Sequence, residues 1–386
     1  MNFSCKKACF ALANRRYFAT SKIAPLSKEV RAEARQQLNQ RRVLTAAHDF
    51  YRTNATTEVR RHFATLINTP QEEQIALLPS ASYAMALALH RMPLQPLQNI
   101  IIAADDQPRH QYLLQRICDE TAMELLCIPE PPPSSTRTWS EAIIEAISPG
   151  TAVVQLSPLH WLRGTQFDLC AIARCARENS SALFIDASCG LGILPLDVAA
   201  IRPDLLVADA WQSLLGPYGI AAAYFGTSFN NGLPFEETGN NRCHVLPHHI
   251  DINTPYRTAA LRYDAGGFDD SNLLVPMFAR ALRQLLSWGG GGASVLSYCS
   301  SLASDLAEGV STLRLGVQQR TDCAQNYLTF ELAAHLRMAD ALNALASHKV
   351  VVDHHGRWLR MMPHVWNDRT DVVETLDAFT QICKKR

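Results

Sequence analysis

Short apolar stretches alternate with amphipathic stretches between residues 74 and 225, and this alternation restricts the possible folds more than any other feature of the chain. The apolar stretches predict seven strands, at Gln74–Pro79, Asn99–Ala104, Glu124–Ile128, Ala152–Leu156, Leu183–Asp186, Leu205–Val207 and Ile220–Phe225. The stretches between them predict helices at Tyr83–His90, Gln111–Thr121, Trp139–Ile147 and Leu169–Glu178. Strands that are apolar throughout are buried on both faces, so the pattern predicts an α/β fold with a mainly parallel seven-stranded sheet covered by helices.

The chain has 386 residues, which is enough for two domains. We predict an N-terminal segment at residues 1–26, a large α/β domain at residues 27–260 and a smaller α+β C-terminal domain at residues 261–386. A long helical stretch from Asn272 to Trp288 would link the two domains. Strands are predicted in the smaller domain near Tyr327–Glu331 and Arg357–Met361.

The composition excludes several classes of protein. Lysine plus arginine equals aspartate plus glutamate at 36 each, so charge gives no reason to expect a nucleic acid or a membrane as a partner. The 11 cysteines form no CxxC pair, which predicts reduced thiols, mostly buried, and a cytoplasmic location. The first twenty residues are basic and acid-free; we interpret them as a short helix at Ala8–Asn14 and a strand at Tyr17–Ala19 rather than as a mitochondrial presequence.

Polar residues stand where several of the predicted strands end. In sheets of this kind ligands bind at the carboxyl ends of the strands, so these positions are the first candidates for a site. They are Ser80 and Ser82, Asp105 and Asp106, Ser157 to His160, Asp186 and Ser188, and Asp209 to Gln212.

Three stretches carry a resemblance to a known family: "SPLHWLRGTQFDL", "ALFIDASCGLGILPLDVAAIRPDLLVADA" and "LLGPYG". Together they resemble the class V aminotransferases, which have the fold-type-I pyridoxal-phosphate architecture, and weaker similarity extends over nearly the whole chain. The resemblance implies a lysine that holds the cofactor as a Schiff base, a helix N-terminus for its phosphate, a carboxylate facing its pyridine nitrogen and an arginine for the substrate carboxylate. It also implies a homodimer, or a heterodimer with a catalytic paralogue.

Some of these groups are present in the sequence. Asp186 stands at the position of the carboxylate that faces the pyridine nitrogen, and His110 lies where it would partly replace a stacking ring. Ala81 and Ser82 open a helix and would offer an amide and a hydroxyl to a phosphate, although a plain helix cap explains them equally well. Arg360 stands at the position of the substrate-carboxylate arginine, with a surface salt bridge as the simpler alternative.

Other groups are replaced. Gln212 stands at the Schiff-base position, where an amide cannot form an imine, and no lysine occurs between Lys28 and Lys349. Asp209 stands where relatives often place a phosphate-binding serine, and its carboxylate would repel a phosphate. Three further positions also differ from residues that surround the cofactor in relatives: Cys189, Trp211 and Gly267.

These replacements predict a degenerate homologue without ordinary pyridoxal-phosphate catalysis, which binds a small molecule in the former cofactor pocket or serves as a dimer partner. A first alternative is a cofactor-independent enzyme that reuses Asp186, Asp209, Cys189 and His110, with His160 as a further candidate, for acid–base or acyl-transfer chemistry. A second alternative is an aminotransferase or lyase whose Schiff base has moved to Lys22. Binding of pyridoxal phosphate without a Schiff base is a further alternative.

Three further features are predicted to carry no chemistry. His244, His248 and His249 lie in a polar stretch without regular ligand spacing, so no metal site is expected. Cys323 is the nearest candidate for a desulfurase nucleophile, but its surroundings indicate the approach to a strand. The pair His354–His355 is predicted to cap a turn between strands.

Overall fold

The computed structural model describes residues 3–40, 54–132, 134–243, 251–265, 267–268, 273–316 and 323–384. The strands are β1 Arg16–Tyr17, β2 Ile75–Leu78, β3 Asn99–Ala103, β4 Glu124–Ile128, β5 Thr151–Leu156, β6 Ala182–Asp186, β7 Leu205–Asp209, β8 Ala221–Phe225, β9 Leu328–Glu331, β10 Val350–Val351, β11 Asp353–His355 and β12 Trp358–Met361. The helices are α1 Lys28–Gln40, α2 Ala55–Leu66, α3 Ala81–Arg91, α4 Pro108–Thr121, α5 Trp139–Ala146, α6 Leu169–Glu178, α7 Val198–Ile201, α8 Leu274–Ser287, α9 Ala293–Thr312, α10 Met338–Ser347 and α11 Arg369–Lys384.

The predicted seven-stranded sheet is confirmed, and its strand order is β2-β8-β7-β6-β5-β3-β4. Strand β8 runs antiparallel to both of its neighbours, and the other pairs of adjacent strands run parallel. Because β2 and β7 both oppose β8, β2 has the same direction as the parallel strands. The carboxyl ends of β2, β3, β5, β6 and β7 therefore meet at one edge of the sheet, where ligands bind in folds of this class.

Burial explains why these stretches form strands. Every residue of β2, β5, β7 and β8 is buried, as expected for strands that helices cover on both faces. Strand β4 lies at the end of the sheet, and two of its five residues are exposed. Local signals fix the helix starts: Ser80 caps α3 by accepting the Tyr83 N–H at 3.2 Å. Thr138 and Glu141 form a reciprocal capping box at the start of α5.

The smaller unit is built on the antiparallel sheet β11-β12-β9, which shares one apolar core with α9, α10 and α11. Its core includes Leu359 and Phe379, and also Phe18 from the other end of the chain. Strand β1 pairs in parallel with β10, and Trp366 Nε1 donates to the Tyr17 carbonyl at 2.9 Å. The N-terminal segment is thus held by residues from the C-terminal part of the chain.

One local prediction was wrong, and two others differ from the structure only in their bounds. The expected helix at Ala8–Asn14 is replaced by a 3₁₀ helix at Phe3–Cys9 and a reversal in which Ala13 and Asn14 adopt φ of 48° and 58°. After this reversal Arg16 pairs with Val350, so the strand starts at Arg16, one residue before the predicted start at Tyr17.

His354–His355 form the end of β11 and pair with Leu359 and Trp358 across the predicted turn between strands. The turn that they were expected to cap lies one residue further on, at Gly356, whose φ of 55° suits glycine. No helix in the described part of the chain has the length and hydropathy needed to cross a bilayer.

Candidate functional site

The first turn of α4 brings two basic side chains to the carboxyl edge of the sheet. Pro108 occupies the first helical position, which its fixed φ and missing N–H favour, and Arg109 and His110 follow it. Arg109 Nη1 donates to Asp209 Oδ2 at 2.7 Å, and Arg109 Nη2 forms a short ion pair with Asp186 Oδ2. The guanidinium therefore bridges the carboxylates that end β6 and β7.

His110 lies between two more carboxylate contacts. Its Nε2 is 2.8 Å from Asp186 Oδ2, and its Nδ1 is 3.1 Å from Asp106 Oδ2. His110 is 1% exposed and the two aspartates are 0% and 3% exposed, so water screens these charges little. Three carboxylates and two cations share this cluster, which we call the Arg109 cluster: Asp106, Asp186, Asp209, Arg109 and His110.

The contacts within the Arg109 cluster set its protonation. Burial opposes a charge on His110, but Asp106 and Asp186 outweigh it and raise the pKa of His110 to about 9. Burial would likewise raise the pKa of Asp186, yet Arg109 and His110 hold that pKa well below its usual range. Burial raises the pKa of Asp209, and Arg109 opposes this rise. At neutral pH His110 is charged and Asp186 is ionised.

The N-terminus of α3 is already occupied by an anion from the chain itself. Asp209 Oδ1 accepts the Ala81 N–H at 2.8 Å, a charge-assisted bond at the positive end of the helix dipole. The Asp209 N–H donates to Ser188 Oγ, and the Ser188 N–H donates to Asp186 Oδ1, each at 2.9 Å. Ser82 lies in the first turn of α3 and is half-buried.

A cavity of about 220 Å³ lies beside the Arg109 cluster. It is lined by Ser21, Lys22, Gln107, Trp161, Cys189, Trp211, Gln212, Asp353 and Arg360. None of the cluster residues lines it, and neither does Ala81 or Ser82. The structure thus separates the predicted site residues into a cavity group, with Gln212, Trp211 and Arg360, and a second group around Arg109 that does not line this cavity. The cavity is smaller than the roughly 300–1,000 Å³ of typical small-molecule sites.

Gln212 is 5% exposed and ties the N-terminal segment to the loop after β7. Its Nε2 donates to the Ser21 carbonyl at 2.9 Å, and its Oε1 is buried without a partner in the described part of the chain. The adjacent Trp211 carbonyl accepts the Ala24 N–H at 3.0 Å. The amide of Gln212 therefore serves as a structural hydrogen-bonding group that joins the loop after β7 to the N-terminal segment.

Arg360 is buried, and its guanidinium already has a carboxylate partner within the chain. It is 7% exposed, it forms a short ion pair with Asp353, and its Nη1 donates to the Trp161 carbonyl at 3.1 Å. Its guanidinium carbon also lies 4.7 Å from the centroid of the Trp161 ring. The alternative of a surface salt bridge is corrected to a buried ion pair at the cavity wall.

The remaining candidates are placed as follows. Cys189 lines the cavity, and burial raises the pKa of its thiol to about 12. Lys22 is exposed at the cavity, and Cys323 bridges to Thr165 outside it. Gly267 has φ of 89°, a conformation that disfavours the threonine common in relatives. Residues 244–250, with the three candidate metal-binding histidines, lie outside the described residues.

Sequence reasoning missed Arg109, which forms ion pairs with both Asp186 and Asp209 at this edge of the sheet. One signal was available: buried carboxylates at the ends of adjacent strands require a cation, and the stretch "DDQPRHQY" supplies one immediately after a strand end. Asp353, the partner of Arg360, was also missed, because it lies in a two-histidine stretch that indicated only a turn.

Comparisons with known proteins agree with this architecture. The model of the family described as "Aminotransferase class-V" matches residues 17–362, and the chain belongs to that family. Among curated proteins it is 22% identical to the uncharacterized aminotransferase YcbU of Bacillus subtilis, over 83% of this chain and 82% of that protein. A shorter match, 29% identical over 109 residues, covers 28% of this chain and 26% of the cysteine desulfurase IscS of Acinetobacter baumannii.

Solved structures show the same fold. The cysteine desulfurase CsdA of Escherichia coli superposes with a TM-score of 0.84 at 18% identity and covers 100% of this chain and 99% of its own. The cystine C-S lyase C-DES, solved with its product cysteine persulfide, superposes with a TM-score of 0.85 at 15% identity, covering 96% and 98%. At these identities the likeness establishes the fold-type-I architecture and leaves the chemistry to the residues of the site.

Proposed function

We propose that this chain is a degenerate member of the class V aminotransferase family that works without a cofactor Schiff base. In this proposal Arg109 takes the place of the cofactor's pyridine nitrogen as the cationic partner of Asp186, and it also neutralises Asp209. The observation that carries the proposal is the position of the Arg109 guanidinium, which forms ion pairs with both carboxylates at the ends of β6 and β7. Gln212, with its amide committed to Ser21, is consistent with it.

The contacts of the Arg109 cluster do not fit pyridoxal phosphate. A pyridine nitrogen that bonds to Asp186 would have to displace Arg109 Nη2, and a phosphate at the start of α3 would meet the Asp209 carboxylate on the Ala81 N–H. Displacing Arg109 would also leave the Asp209 carboxylate buried without its cationic partner, which is unfavourable. Relatives bind the cofactor, as one structure of C-DES with glycine covalently linked to it states, but their contacts do not transfer to this arrangement.

The ion pairs and hydrogen bonds of these residues are also unfavourable for acid–base or acyl-transfer chemistry. Both carboxylates are engaged by Arg109, and His110 is held as a cation between Asp106 and Asp186. Both ring nitrogens of His160 are hydrogen-bonded to the backbone. The thiol of Cys189, with a pKa of about 12, is almost entirely protonated at neutral pH and is a weak nucleophile.

A partner subunit is the second part of the proposal. Tyr218 is 72% exposed and Ile23 is 45% exposed, and both lie near the cavity. The Tyr218 ring packs against Trp211 with a centroid separation of 5.2 Å, and Ala24, next to Ile23, bonds to the Trp211 backbone. Exposed aromatic and aliphatic side chains grouped in this way are typical of interface centres. We propose that this apolar patch, Ile23, Trp211 and Tyr218, contacts a second family subunit.

The experiment that tests the first part uses the full-length protein incubated with pyridoxal phosphate, treated with borohydride and mapped by peptide mass spectrometry. We expect no stoichiometric adduct on any lysine. Lys22 borders the same cavity as Gln212, so a stoichiometric adduct there would overturn the proposal and support a displaced Schiff base. Exposed Lys28 in α1 measures non-specific labelling.

Two variants separate the effect of Gln212 from that of the Arg109 cluster. The single variant Gln212→Lys should remain unlabelled, because Arg109 and Asp209 still fill the site. The triple variant Arg109→Ala, Asp209→Ser, Gln212→Lys should form a borohydride-stable adduct on the introduced lysine. Stoichiometric labelling of the single variant would show that Arg109 does not close the site.

A further inference from the structure

The basic N-terminal segment, for which the proposed function has no use, forms one wall of a groove of about 570 Å³. Residues 347–349 after α10 and the start of α11 form the other walls. Positive charge is in excess in this groove, because four cations and two carboxylates line it: Lys7, Arg15, Arg16, Lys349, Asp371 and Glu374.

Both carboxylates already have partners. Lys7 Nζ lies 2.6 Å from Asp371 Oδ1, and Arg16 Nη2 lies 3.3 Å from Glu374 Oε1. The two remaining cations, Arg15 and Lys349, are exposed, and within the described ranges no acidic oxygen lies within 4 Å of either. The groove therefore presents two positive charges without an internal counter-ion.

The fold places these two charges side by side. Arg16 pairs with Val350 in the parallel β1–β10 ladder, and the Arg16 N–H donates to the Lys349 carbonyl at 2.9 Å. Arg15 precedes Arg16, and Lys349 precedes Val350. Two positively charged residues therefore lie at the same end of the ladder, where their charges repel each other.

The backbone at Lys349 adds a second cost. Lys349 follows the C-cap of α10 with φ of 56°, the left-handed conformation in which glycine is strongly favoured at this helix position. Asn14, which also lines the groove, has φ of 58°.

We propose that this groove is a binding site for a small phosphorylated molecule. The Arg15 guanidinium matches two phosphate oxygens with its fork of N–H donors, and the Lys349 ammonium adds a compact charge. Asn14 and Thr370 line the groove as neutral polar side chains. The groove lies within the volume range of small-molecule sites, and its two unpaired cations match one phosphate group rather than the longer basic surface that a nucleic-acid backbone requires.

Isothermal titration of the full-length protein with pyrophosphate at low ionic strength tests the site. We expect the wild type to bind, and the double variant Arg15→Gln, Lys349→Gln to bind at least about tenfold more weakly, because two charge-assisted contacts are lost. The matched control is Lys28→Gln, Arg31→Gln, which removes the same two charge types from exposed positions on α1 and should retain wild-type affinity. Thermal melts confirm that both variants fold.

Three results would overturn the assignment. They are an absence of pyrophosphate binding by the wild type, an equal loss in both double variants, and tighter binding of a duplex oligonucleotide than of pyrophosphate with a steep salt dependence. The second result would show a general charge effect, and the third would show a nucleic-acid surface. The test does not depend on the Arg109 cluster, so it stands or fails independently of the proposed function.

Discussion

Replacement of Arg109 by alanine is the perturbation that the account predicts most sharply. Arg109 is the cation shared by Asp186 and Asp209, whose residues are 0% and 2% exposed. Its removal leaves buried carboxylates with less compensation, and loss of one partner of a buried ion pair costs about 3–5 kcal/mol. A domain has about 5–15 kcal/mol of stability in total, so the variant should fold with a clearly lowered denaturation midpoint.

Urea denaturation followed by circular dichroism measures the effect, and two further variants make it specific. Arg116→Ala lies in the same helix, but Arg116 is exposed and forms only a surface pair with Glu120, so its change should stay within about 0.5 kcal/mol. Arg109→Ala combined with Asp209→Asn should be less destabilised than the sum of the two single changes, because the unpaired charge at position 209 is gone. A coupling energy above roughly 1 kcal/mol is expected.

The low-pH behaviour of Arg109→Ala provides a second readout. Without the guanidinium, the pKa of Asp209, which burial already raises, rises further in the folded state. A carboxyl whose folded pKa is raised destabilises the fold as pH rises through that pKa, so the deficit relative to wild type should shrink as pH falls. The reasoning is refuted if Arg109→Ala is as stable as Arg116→Ala, or if Asp209→Asn recovers nothing.

Two further predictions concern His110 and the apolar patch. Because the pKa of His110 is raised to about 9 from 6.5, its stabilising contribution is fully present below pH 6.5 and is lost as pH rises through about 9. His110→Gln should therefore flatten the stability profile between pH 6.5 and 9 by an amount on the order of 2–3 kcal/mol, measured by urea denaturation at several pH values; an unchanged profile would contradict the charged state of His110. Tyr218→Ser with Ile23→Ser should shift the protein toward a smaller species in size-exclusion chromatography with light scattering. The control Leu97→Ser, which alters a residue that is 94% exposed beside the opposite edge of the sheet, should have no effect. Equal behaviour of the two would show that the apolar patch is not an interface.

The fold was largely predictable because its signals are local and repeated. Each of the seven strands of the large sheet is a short apolar run, and the alternation with helices predicted the mainly parallel arrangement, in which β8 is antiparallel to both of its neighbours. The N-terminal segment was less predictable, since Arg16 and Tyr17 form a strand only through pairing with Val350 and Val351, more than 300 residues away. Propensity within the first twenty residues carries no information about that partner.

The site was predictable residue by residue but not as an arrangement. Asp186 and Asp209 were identified from strand ends, and the structure brings both together with His110. The separation of the Arg109 cluster from the cavity was not predictable, because it depends on the direction of the Arg109 side chain. Arg360 shows the same limit: its sequence position suggested a carboxylate ligand, and its actual carboxylate is Asp353, seven residues earlier on the neighbouring strand.

The most direct test of the central claim is a crystal structure of the full-length protein grown with excess pyridoxal phosphate. The account predicts that the Arg109 guanidinium remains between Asp186 and Asp209, with no cofactor density at the start of α3. Cofactor density against Asp186, with Arg109 turned away from both carboxylates, would contradict it.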